Sequence, residues 1–189
     1  MRNENLYFIA IIPPKEISDE ITAFQLDFAH HFNAKAALKV IPHITLKAPF
    51  KLPVSDHSGL RQWFQKLFIH SGSFQIELRN FAAFPNKYKP VVYVNPIINE
   101  PLYALQKEII RSFRISYPEL EIADIELKFK PHITIAYRDL MPDKFSEAWD
   151  LYKTKEFRAV FDVNSFHLLQ HNGKMWNIIE TASLRKAAR

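Results

Sequence analysis

The chain has 189 residues, no cysteine and a formal charge of +5 at neutral pH. Without cysteine there is no disulfide, thiolate nucleophile, Cys-based zinc site or redox dithiol, and three glycines are too few for a Gly-rich loop around a pyrophosphate. Hydrophobic residues at 48% and charged residues at 24% describe one ordinary globular domain of two lobes over residues 1–189. The modest cationic excess favours a phosphate-bearing partner without the charge density of a protein that coats nucleic acid.

Leu6–Ile12 is a short apolar run closed by Pro13-Pro14, which reads as a buried strand and not as a signal peptide or membrane span. No other run is long enough to cross a bilayer, so the expected location is the cytoplasm and no membrane partner is implied. Ile17, Ile21, Phe24, Phe28 and Phe32 recur at helical spacing, predicting an amphipathic helix over Lys15–Phe32. Ile41–Phe50 reads as a strand, and Leu60, Trp63, Phe64, Leu67 and Phe68 mark a second helix that stops by Gly72. Phe74, Ile76 and Leu78 alternate with polar residues as a half-buried strand does, and Val91–Val94 supplies another beyond a proline-bounded loop. Leu102, Leu105, Ile109 and Phe113 predict a third helix, Pro131–Tyr137 a strand, and Pro142 and Asp143 open a fourth helix. Two long strands close the chain and meet at Asn172-Gly173, which suits a tight hairpin turn. Strands and helices alternate, but hairpins are frequent, so the expected class is α+β, with mainly antiparallel sheets and helices on their outer faces.

One segment occurs twice: Lys39-Val40-Ile41-Pro42-His43-Ile44-Thr45-Leu46 and Lys128-Phe129-Lys130-Pro131-His132-Ile133-Thr134-Ile135. Strand alternation puts His43 and Thr45 on one face and Ile44 and Leu46 on the other, and it does the same for His132 and Thr134 against Ile133 and Ile135. A single His-x-Thr on a strand is commonly a structural hydrogen-bonding pair, but packing gives no reason for the same polar face to recur. If the copies lie side by side about a pseudo-twofold axis, two imidazoles and two hydroxyls converge on a space that fits a phosphate. Cleavage of a phosphodiester needs one group to take a proton from the attacking oxygen and another to give one to the leaving oxygen, and imidazole titrates near neutrality for both duties. His43 and His132 are therefore the candidate catalytic residues. Thr45 and Thr134 are placed to donate hydrogen bonds to non-bridging oxygens. By alternation Lys47, Lys130 and Arg138 fall on the histidine faces as further candidate phosphate ligands, Arg138 through its planar fork, although solvated charge is the commoner role of such lysines and Arg138 could instead pair with Asp139 or solvent.

The doubled motif, His43-Ile44-Thr45-Leu46 and His132-Ile133-Thr134-Ile135, resembles that of the 2H phosphoesterases, which include 2′-5′ RNA ligase-like proteins and cyclic nucleotide phosphodiesterases. The element order is compatible over nearly the whole chain, including the closing hairpin through Phe166-His167-Leu168-Leu169, and the chain looks most like the bacterial phosphoesterase branch. The resemblance implies a bilobal, pseudo-symmetric fold with a central cleft. It also implies chemistry on 2′,3′-cyclic or 2′-5′ phosphodiesters of RNA ends or small nucleotides, with no metal or cofactor. Lys47-Ala48-Pro49-Phe50-Lys51 departs from the Phe-Leu-Gly run of the ligase-like members, which weighs against ligase activity. The alternative is a module that binds RNA ends or nucleotides without turnover.

Eight histidines invite a metal site, but His30-His31 and the pair His167 and His171 have no spaced carboxylate to complete a tetrahedral set, so none is expected. Phe84 and Tyr88 are loop aromatics that could stack on a base, although burial in the core is the commoner fate of such rings.

Overall fold

Tyr7 to Ile11 form an unbroken apolar run because this strand is covered on both faces: all five side chains are at most 1% exposed. A computed structural model describes residues 4–186, so Arg2, which precedes that strand, lies outside the described range. In chain order the elements are β1 (Glu4–Ile11), α1 (Lys15–His31), β2 (Ile44–Pro53), α2 (His57–Gln65), β3 (Phe74–Phe84), β4 (Val91–Pro96) and α3 (Glu100–Ser116). They continue with the single turn α4 (Asp124–Leu127), β5 (Ile133–Ala136), α5 (Pro142–Tyr152), β6 (Arg158–Val163), β7 (Ser165–His171) and β8 (Trp176–Ser183). The strands build two four-stranded antiparallel sheets, ordered β2-β1-β7-β8 and β5-β4-β3-β6, and the fold is α+β as the sequence predicts.

The sheets exchange helices. From β1 the chain enters α1, which crosses to the second sheet, where Phe24 meets Phe81 and Phe157 edge-on at 4.9 and 5.2 Å. From β4 it enters α3, which crosses to the first sheet and sets Phe113 against Phe50 at 4.7 Å. This reciprocal crossing gives the fold its pseudo-twofold character, in which β2 and β5 are equivalent edge strands, each beside a buried central strand. The two Pro-His-Ile-Thr segments lead into those two edges. Among the described residues no helix is long and apolar enough to cross a membrane.

Three expectations are corrected. The stretch before the closing hairpin, expected as one long strand, is two: β6 pairs with β3 in the second sheet and β7 with β1 in the first, the break falling at Asn164. Both halves are apolar on alternate positions, so the sequence does not mark the crossing. The β7–β8 connection is a four-residue loop closing on His171 opposite Trp176, not a two-residue turn. Its Asn172 side chain accepts from the amides of Lys174 and Met175, and only Gly173 takes a positive φ, of 100°. Finally, β2 starts at Ile44, because Ala36–Lys39 forms a 3₁₀ turn whose entry is held by the Asp139 carboxylate, which accepts from the amides of Lys35 and Ala36 at 2.8 and 2.9 Å.

Candidate active site

At both edge strands the residues of the motif divide as strand geometry requires. Ile44, Leu46, Ile133 and Ile135 are at most 1% exposed and belong to the main core. His43, Thr45, His132 and Thr134 are half-buried and line one cavity of about 260 Å³ between the sheets. In each imidazole Nδ1 lies against the carbonyl oxygen two residues back, His43 to Ile41 at 2.8 Å and His132 to Lys130 at 2.7 Å. A carbonyl only accepts, so Nδ1 carries the proton in both rings and Nε2 of the neutral ring keeps its lone pair. The backbone thus fixes the tautomer twice, in the same way. Aromatic neighbours from the central strands hold the rings: Phe8 of β1 is 4.8 Å from His43, and Tyr93 of β4 is 5.4 Å from His132.

Burial disfavours the charged imidazole. It pushes His43 down from 6.5 to about 4, with the Ile41 carbonyl opposing the shift and the positive charge available to His132 adding to it. His132 is also lowered by burial, against its bond to Lys130. Each ring therefore feels the loss of water, and His43 feels its counterpart as well.

Arg138 also lines the cavity. Lys47 does not. The β1–β2 register runs Ala10 with Thr45, Ile9 with Lys47 and Tyr7 with Phe50, so β2 carries an extra residue on either side of Lys47. The first bulge turns Lys47 to the core side, and the second restores the alternation that buries Phe50 and Leu52. There the ammonium pairs with Glu126 at 2.9 Å and lies over the Phe113 ring at 4.7 Å. Lys130 is exposed and lends the site only its carbonyl. Neither lysine is a cavity residue. Phe84 stands 5.2 Å from the His132 ring, as a wall behind it, and Tyr88 projects into solvent at 74% exposure.

Phe8, Gln25, Tyr137 and Trp176 are among the cavity residues that the sequence does not single out. Gln25, from α1, is buried and donates to the Thr134 carbonyl at 3.1 Å, tying the helix that crosses sheets to the second motif strand. Its polar character on the apolar stripe of α1 is the one signal that could have marked it. Other histidines serve locally: His57 bonds the Tyr7 hydroxyl, His70 bonds Glu108, and His167 meets the Thr181 hydroxyl at 3.0 Å. Among the described residues, no group of three or more His, Asp or Glu could hold a metal ion.

This architecture recurs among solved structures. A phosphoesterase matches with a TM-score of 0.66 at 18% identity, covering 96% of this chain and 99% of its own. Escherichia coli LigT in its apo form matches with a TM-score of 0.64 at 16% identity, covering 97% and 99%. The model of the 2′-5′ RNA ligase superfamily matches residues 13–175, and the chain belongs to that family. Among curated relatives, a Bacillus cytotoxicus protein named "Putative phosphoesterase" is 27% identical over 96% of this chain and 98% of its own. A Bacillus licheniformis protein of the same name is 24% identical over 93% and 96%.

Proposed function

We propose that the protein is a hydrolase of 2′,3′-cyclic or 2′-5′ phosphodiesters, at RNA ends or on small nucleotides, with His43 and His132 as its acid–base pair. The observation that carries this reading is the convergence of the two imidazoles on one anion-sized cavity, each with Nδ1 bonded to a backbone carbonyl two residues before it and Nε2 left for proton transfer. Phosphoesterase is the name of the relatives, and LigT has been crystallised with 3′-AMP and with phosphate.

In this reading a cyclic phosphate sits between the rings. One Nε2 takes a proton from water as the water oxygen bonds to phosphorus. The bond from phosphorus to one ribose oxygen then breaks, and the other imidazolium gives that oxygen its proton, leaving a phosphate monoester and a free hydroxyl. The hydroxyls of Thr45 and Thr134 donate to the non-bridging oxygens, and Arg138 supplies a cation for the charge that grows there. The histidines carry both proton transfers, so activity is expected to persist in chelator.

The pH profile tests this. The base must be neutral, so its activity rises as pH climbs through its pKa. The acid must be charged, so activity falls as pH climbs through its own. Both values lie below 6.5, that of His43 near 4, so kcat/KM follows a bell with its maximum on the acid side of 6.5. Exchanging the two roles leaves the position and width of the bell unchanged, because both assignments draw on microstates of the same singly protonated pair. A rate still climbing through neutrality would contradict the reading. The decisive assay is a screen of 2′,3′-cyclic mononucleotides, 2′-5′ dinucleotides and cyclic-phosphate-ended RNA, with the double histidine variant as blank. Retained binding without product would replace the hydrolase by a binding module.

A further inference from the structure

Beside the histidine cavity lies a second one of about 340 Å³, and the two share Val40, Tyr137, Arg138 and Trp176 as a common wall. Among its own residues are two lysines and a histidine. Lys39 comes from the 3₁₀ turn before β2, while His171 and Lys174 come from the end of β7 and the loop after it. Lys39, Arg138 and Lys174 thus reach one hollow from three separate segments, and none of them makes an ion pair with a described residue. The single acid in the wall is Asp139, whose Oδ2 already accepts two backbone amides. A larger hollow, about 920 Å³ at the far ends of β1 and β2, differs in this respect, since its Lys51 is paired with Glu4.

Arg138 bridges the two cavities and does so in a costly conformation. Its φ of 57° is left-handed, a region that favours glycine, and its guanidinium lies 5.0 Å from the Tyr137 ring. Strain of this kind persists where surrounding structure holds it, here the Asp139 clamp on the 3₁₀ turn. Unpaired cations beside a site that takes one phosphate form a receptor for another anion, and Trp176 and Tyr137 add flat apolar wall between the two.

We infer that this annex binds a second phosphate, on the 5′ side of the nucleotide whose cyclic phosphate lies between the histidines, so that the preferred substrate carries a 5′-phosphate or 5′-phosphodiester. The inference rests on the hydrolase reading and names its substrate class. Unpaired lysines supply charge without base recognition, so the selection is for phosphate and not for sequence.

The test compares adenosine 2′,3′-cyclic phosphate, its 5′-phosphorylated form and a dinucleotide ending in the same cyclic group. The native protein is expected to prefer the two substrates with a second phosphate. In Lys39→Ala/Lys174→Ala that preference falls about tenfold in kcat/KM, through KM, while the plain cyclic nucleotide changes by less than about twofold. Lys66→Ala/Lys107→Ala, which removes the same charge from exposed positions elsewhere, leaves the preference intact. A preference for the dinucleotide over the 5′-monoester identifies an RNA end as the source of the second phosphate, and the reverse order identifies a mononucleotide. Equal kcat/KM for all three substrates, or an equal loss on all three in the annex variant, would overturn the inference. If no substrate turns over, the hydrolase reading falls, and calorimetry decides the annex separately. Tighter binding of adenosine 3′,5′-bisphosphate than of adenosine 3′-phosphate, abolished in the annex variant, upholds it, and equal affinities sink it.

Discussion

Replacing His43 or His132 by Ala is expected to lower kcat/KM on a 2′,3′-cyclic nucleotide by roughly a hundredfold to ten-thousandfold, the range that a positioned acid or base contributes. The two losses do not multiply. In the proposed mechanism acid and base act on one transition state, so the double variant is expected to fall little below either single one, whereas independent contributors would give the product of the two effects. The fold is expected to survive, because each ring stands on the polar face of its strand while the neighbouring isoleucines keep the core face filled. His43 touches Phe8 and His132 touches Phe84, so some packing is lost, and His43→Gln and His132→Gln serve as variants of closer volume. Near-native activity in either Ala variant, with an unchanged thermal midpoint, would remove the histidine pair from the chemistry.

The second large effect is on stability. Glu126→Ala is expected to destabilise the protein by about 3–5 kcal/mol, because it strands the ammonium of Lys47 in the core. The two side chains are 2% and 4% exposed, and Glu126 does more than pair with Lys47. Its Oε1 accepts from the Ala48 amide at 2.9 Å and its Oε2 from the Ala123 amide at 2.8 Å, so truncation orphans two backbone donors together with a charge. Lys47→Met/Glu126→Gln removes both charges and keeps a carbonyl for one amide, and it is expected to recover part of the loss. Urea unfolding reads the result as a lower midpoint at constant slope. An unchanged midpoint for Glu126→Ala would show that the pair contributes nothing. The pair also has a place in the architecture, since Lys47 follows the first motif on β2 and Glu126 precedes the second, so one buried contact fastens the two motif segments together.

Which parts of this were legible in advance follows from how far each signal reaches along the chain. Helical periodicity located α1 and α3 because their apolar stripes are set by residues three and four apart, and the break at His31 lies one residue from the expected end. The duplicated segment located the two histidines and the two threonines, and strand alternation assigned their faces, which is a two-residue property. Lys47 defeated the same rule only four residues after His43. The bulges that turn it inward depend on its register against β1, and no local pattern announces them. The crossing at Asn164 was hidden for a similar reason: the choice of pairing partner is made by distant strands.

The amino-acid sequence alone determined most of the helices and strands, the α+β class and the repeated polar face, because burial periodicity and strand alternation are local properties of the chain. Tertiary structure decided that the two faces meet, that α1 and α3 trade sheets, that Lys47 leaves the cleft for Glu126, and that Lys39, Arg138 and Lys174 gather beside it. Those facts depend on register, on bulges and on which strands pair across the length of the chain, and contacts between residues far apart acquire an energy only once the fold has brought them together.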